Sequence, residues 1–172
     1  MTVEPDACAV AHGAADVGAD EKTLVAVFAS PVASYLLSYA ADLGYHTVLY
    51  EPDAARATDV RTACDIRTTI PPLDHTADVV VTDHHRTELG PVLKDALTAG
   101  DARWVGVLGN PRHEGPHVSA LTALGLPSNE IARVHRPVGL NIGSRRPAEI
   151  AIAVLAGLLA DRNGKPGGFE FA

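Results

Sequence analysis

Hydrophobic and polar positions fall into two kinds of block along this chain: short apolar runs, and longer stretches with helical spacing. Residues 23–28 (TLVAVF) form a compact apolar run of the kind that becomes a strand buried on both faces of a parallel sheet. Ala29-Ser30-Pro31 breaks the run. Apolar residues then recur at Val32, Leu36, Leu37, Ala40 and Leu43, which predicts a helix over 31–43 that Gly44 ends. Pro31 suits its first turn, where a missing N–H costs nothing. Residues 47–50 predict a second strand, closed by Glu51-Pro52-Asp53, and β-branched content places a short third strand at 67–70. Residues 78–82 (DVVVT) and 104–108 (WVGVL) read as two more buried strands. Further helices are predicted over 87–99, 115–124, 128–134 and 147–163.

Strands that alternate with helices imply a parallel sheet covered on both faces, and right-handed crossovers then favour an α/β, Rossmann-like doubly wound arrangement. Residues 21–163 are expected to make one such domain, with a mobile segment over 1–20 and a tail over 164–172. Ligands of these sheets bind beyond the carboxyl ends of the strands, so the residues that follow each strand become the candidates.

Composition narrows the field. Fourteen Lys and Arg against 21 Asp and Glu leave a net charge of −7, which argues against a nucleic-acid partner. Cys8 and Cys64 give neither a disulfide framework nor zinc spacing, and no metal site is expected. Residues 1–20 carry Glu4, Asp6, Asp16 and Asp20 without a Lys or Arg, unlike a signal peptide, and no run of ~18 apolar residues is present. The expectation is a cytoplasmic protein that does not enter the membrane. The apolar last helix leaves room for a homodimer contact.

Two loops stand out chemically. Gly109-Asn110-Pro111-Arg112 follows the fifth apolar strand; Asn and Gly tolerate unusual backbone, and Arg112 carries a planar fork suited to phosphate. The second loop holds His135, Asn141, Gly143, Ser144 and Arg145, just before the N-terminus of the last helix, an end that attracts anions. A tight structural bend and a solvated surface turn are the plainer readings of the same residues. Asp83 and His84 follow the fourth strand and read as ligand contacts or as a turn cap. His113 and His117, four apart, read as solvated.

The stretch 104–163 resembles the C-terminal domain of the XdhC/CoxI family, the accessory proteins of xanthine dehydrogenase and related molybdenum hydroxylases. The family's strand ending in GLLG reads Gly106-Val107-Leu108-Gly109 here. Its H-x-P-x-G-L-x-I-G motif falls on His135, Pro137, Gly139, Leu140, Ile142 and Gly143, and its P-x-E-I-A motif on Pro147, Glu149, Ile150 and Ala151. Order and spacing agree over about sixty residues. The resemblance implies a Rossmann-like domain that binds the molybdenum cofactor, a phosphorylated pterin, or a nucleotide on behalf of a molybdenum hydroxylase client, without turnover of its own.

The family carries Gly-x-Gly-x-x-Ala at its first turn, whereas this chain has Ala29-Ser30-Pro31, in a loop one residue shorter. That weakens an NAD(P) site, which needs glycines so that a pyrophosphate can approach backbone N–H groups. Glu51, about twenty residues on, stands where a carboxylate would hold a ribose hydroxyl. An NAD(P)-dependent oxidoreductase and a non-catalytic scaffold that has lost its ligand are the alternatives. No catalytic residue can be assigned.

Overall fold

The computed structural model describes residues 6–13, 21–110 and 112–168. In chain order the elements are α1 (Ala7–Ala11), β1 (Thr23–Val27), α2 (Pro31–Asp42), β2 (His46–Tyr50), β3 (Asp65–Arg67), β4 (Ala77–Val81), α3 (Leu89–Thr98), β5 (Trp104–Val107), α4 (Pro116–Ala123), α5 (Ser128–Ile131), β6 (Val134–His135) and α6 (Pro147–Arg162). The six strands form one sheet in the order β3-β2-β1-β4-β5-β6, and every pair is parallel. This is the doubly wound Rossmann order, with its switch point between β1 and β4.

Alternation along the strands builds two cores. Val25, Val27, Val79, Val81, Val105 and Val107 face α3 and α4. Leu24, Ala26, Leu49, Val80 and Trp104 face α2 and α6. Leu36 and Leu37 of α2 are completely buried, each contributing about 1.5–3 kcal/mol of transfer free energy. α6 packs on α2 through Ala151, Val154, Leu155 and Leu158 and leaves Ile152 in solvent.

Two elements differ from the sequence expectation. The third strand lies at Asp65–Arg67, paired Val48↔Asp65 through Tyr50↔Arg67, and not at 67–70. Its edge position and exposed Ile66 remove the apolar signature, and the chain reaches Pro71 and Pro72 soon after, neither of which has an N–H for a ladder. The helix expected over 128–134 ends at Ile131, and Val134–His135 instead add the sixth strand, paired Val105↔Val134 and Gly106↔His135. Within 1–20, residues 6–13 hold the short α1, capped by the Asp6 carboxylate; the expected mobility of the remainder lies outside the described residues. No helix among the described residues is long and apolar enough to cross a membrane.

Candidate functional site

The carboxyl ends of β1, β2, β4, β5 and β6 converge on one edge of the sheet. A cleft of about 520 Å³ opens there, between the turn after β4 and the turn after β5, and α3 and α4 form its floor. That volume lies in the range of small-molecule sites. His84, His85, Arg86, Asn110, His113 and Arg136 supply its polar wall together with one carboxylate, Glu114.

Arg136 joins the two loops. Its Nη1 donates to the His113 carbonyl (2.8 Å) and its Nη2 to the Asn110 carbonyl (3.1 Å). It makes no ion pair with a carboxylate among the described residues, and its Nε is buried without a partner. Its guanidinium rests on Gly109, where an added Cβ would come within 2.5 Å of Nε and Nη2. The side chain of His117 lies behind Gly115, 7% exposed, with Nδ1 unpartnered. Burial and the neighbouring Arg136 charge lower its pKa, which favours the neutral ring. This is the reverse of the solvated histidine expected from the sequence. Burial, His85 and Arg136 likewise lower the pKa of His84, whose ring centre is 4.1 Å from that of His85.

The parity of β6 explains why Arg136, and not His135, reaches the cleft. Successive strand residues point to opposite faces. His135 stacks on Trp104 with ring centres 4.9 Å apart and planes 7° apart, on the α2–α6 side. The Trp104 ring fits because Gly106 has no Cβ; one there would come within 2.1 Å of it. The next residue turns toward α3 and α4.

The first turn is organised differently. Glu51, completely buried, accepts from the Ala29 N–H (2.8 Å), the Asp53 N–H (3.0 Å), Arg86 Nη1 (3.1 Å) and Arg86 Nη2 (3.0 Å). Burial works against its charge, but these hydrogen bonds outweigh it and hold the pKa below the usual carboxylate value. Arg86 also binds Glu88, which is pushed down to about 2 by that hydrogen bond, and lies 4.5 Å from the Phe28 ring centre. The hydrogen bonds that Arg86 donates to Glu88 and Glu51 raise its pKa. Phe28 has φ +70° and is completely buried. Ser30 caps α2 through Ala33 N–H (3.0 Å) and donates to Thr82 Oγ1 (2.9 Å), with Pro31 next in the helix.

The remaining candidates have other partners. Asp83 accepts from the His85 N–H, and the Asn110 side chain accepts from the Arg112 N–H. Arg112, Asn141 and Arg145 are exposed and outside the cleft lining. Ser144 bonds Glu149 and accepts from the Arg146 N–H (3.1 Å), fixing the entry to α6. Gly143 takes φ +69° with open space around it. Of the sequence candidates, the cleft therefore gathers His84, Asn110 and, beneath Arg136, Gly109. Arg136 lies inside the second loop singled out in the sequence and Arg86 two residues after His84, but only strand pairing and distant partners reveal their roles. Among the described residues no group of three His, Cys, Asp or Glu could hold a metal ion.

The sequence pattern of the XdhC Rossmann domain matches residues 24–158, from β1 into α6. The chain belongs to the XdhC Rossmann-domain family. It is 42% identical over 74 residues to the uncharacterized protein YqeB of Escherichia coli, a match that covers 43% of this chain and 14% of that protein. A crystal structure titled as a xanthine dehydrogenase from Bacillus halodurans superposes with a TM-score of 0.64 at 22% identity, over 84% of this chain and 45% of that one. At that identity the likeness speaks for the fold, which agrees with the sheet order above. The matches span a small part of the first relative and a little under half of the second.

Proposed function

We propose that this chain is a cytoplasmic, non-catalytic accessory factor of molybdenum hydroxylases, and that it holds a phosphorylated ligand, the molybdenum cofactor or a nucleotide, in the cleft at the carboxyl edge of the sheet. The observation that carries this reading is Arg136, a guanidinium lining the cleft that donates to two carbonyls and forms no ion pair among the described residues, although Glu114 lines the same cleft. A phosphate would complete its charge and use donor positions those two hydrogen bonds leave over. The N-terminus of α4, which has no side-chain cap, adds partial positive charge on the same side. His84 and Asn110 would orient the rest of the ligand. When bound, the cofactor would supply the metal and dithiolene chemistry to the client; the residues of this chain bind it and shield it from water. Family membership supports the accessory role and the class of client.

Titration calorimetry with a pterin phosphate and with GMP tests the binding half. Arg136→Ala should weaken binding about tenfold or more, the value of a charge-assisted hydrogen bond. Arg112→Ala and Arg145→Ala should leave it near the parent value. Parent-like affinity in Arg136→Ala would remove the cleft as the site. For the client half, cells carrying Arg136→Ala should contain normal amounts of molybdenum hydroxylase protein with reduced activity.

A further inference from the structure

A Rossmann sheet binds a dinucleotide through three features at its first turn and second strand. A close backbone approach admits the diphosphate, free N–H groups at the helix N-terminus bind it, and a carboxylate at the end of β2 takes the ribose hydroxyls. Here each feature is occupied by the chain itself. The Ala29 N–H is bonded to Glu51, and the Ala33 N–H to Ser30 Oγ. Pro31 has no N–H to offer. Both Glu51 oxygens are saturated, and none of the carboxylate reaches solvent. The buried Phe28 ring carries the Arg86 guanidinium on its face. Arg86 is itself only 7% exposed in its side chain, and Glu88 braces it from the other side. It also lines the cleft, so it forms a wall between the cleft and the turn.

We propose that the cleft is selective for phosphomonoesters, and that Arg86, locked between Glu51 and Phe28, excludes dinucleotides by saturating the carboxylate that the fold offers to a ribose. This rests on the reading of Arg136 as the phosphate grip, and it adds which phosphorylated ligands can enter. A ligand with one terminal phosphate needs only the β4–β5 side. A dinucleotide must displace Arg86 from Glu51, breaking the two hydrogen bonds between them, before its ribose can bind there.

Amide NMR of the full 172-residue chain, titrated separately with inorganic phosphate, AMP and NAD, tests this. Phosphate and AMP should move the amides of Asn110, His113 and Arg136 and leave those of Ala29 and Asp53 in place. NAD, which has no phosphomonoester, should bind at least tenfold more weakly than AMP. NAD that binds as tightly as AMP or more tightly, and moves the Ala29 and Asp53 amides, would overturn the exclusion while leaving Arg136 as a phosphate grip. No movement with any of the three would overturn the anion cleft itself, and the exclusion with it. Arg86→Gln, provided it folds, should raise NAD affinity relative to AMP at least tenfold; an unchanged ratio in the folded variant would also overturn the proposal. If that variant does not fold, the parent titration decides.

Discussion

The guanidinium of Arg136 lies against the bare α-carbon of Gly109, so closely that a methyl group at Gly109 would sit 2.5 Å from Nε and Nη2. Gly109 is therefore present for space, and its backbone needs no left-handed conformation. Gly109→Ala should displace the Arg136 head and break its bonds to the Asn110 and His113 carbonyls. The moving atoms end a flexible side chain, so the stability cost should be about 1 kcal/mol, the low end of overpacking. Phosphate-ligand affinity should fall about tenfold or more. Calorimetry paired with urea unfolding separates the two effects. Parent-like affinity would mean that Arg136 does not grip the ligand.

Phe28 combines a disfavoured backbone with a fully buried ring. Phe28→Gly would relieve about 1–2 kcal/mol of left-handed strain. It would also remove a buried aromatic worth about 3–5 kcal/mol and the surface on which Arg86 rests. The packing loss is larger, so we expect net destabilisation of about 2–3 kcal/mol by urea unfolding. A more stable variant would show that strain, not packing, dominates this turn.

At the opposite edge, Asp78 is completely buried and accepts from Arg103 Nε (2.7 Å) and Arg162 Nε (2.8 Å), with the Tyr45 hydroxyl at 3.5 Å. It ties the start of β5 and the end of α6 to β4. Asp78→Ala removes the buried acceptor of two arginines, leaving Arg103 with Asp161 and Arg162 with the Thr76 carbonyl, and should cost about 3 kcal/mol, the low end for breaking a buried pair. Ligand affinity of the folded variant should not change, because the cluster lies at the far end of the strands from the cleft. Altered affinity would place that end in the site.

Acid should weaken the fold in two stages. The pKa values of His84 and His117 are lowered from 6.5, so the unfolded chain takes up those protons first as pH falls. Their contribution is complete above about pH 6.5 and is lost as pH falls through the folded values. Glu51 and Glu88 are lowered from 4.5; their contribution is complete above that value and disappears toward about 2 for Glu88. Urea midpoints measured between about pH 8 and pH 5 should fall with acid, and less steeply in His117→Leu. Equal slopes in the two proteins would show that His117 does not titrate with folding.

Much of this molecule was legible locally. The apolar run 23–28, the helical spacing from Val32 to Leu43 and the DVVV run of β4 carry their signal within a few residues, because periodicity and Gly or Pro punctuation are short-range properties. The edge strand Asp65–Arg67 has no apolar pattern to read, since Ile66 faces solvent. Two residues at 134 and 135 are too few to show any period at all.

By itself, then, the sequence determined the alternation of strands and helices, the family and the edge of the sheet where chemistry could gather. Only the tertiary structure decided which side chains meet there. Pairing with β5 sets the parity that sends His135 to Trp104 and Arg136 to the cleft. Partners 22 and 35 residues away turn Glu51 from an apparent ribose ligand into a saturated internal anchor. Side-chain direction in a short strand and the filling of a carboxylate are both set by neighbours remote in sequence, and local pattern carries no record of them.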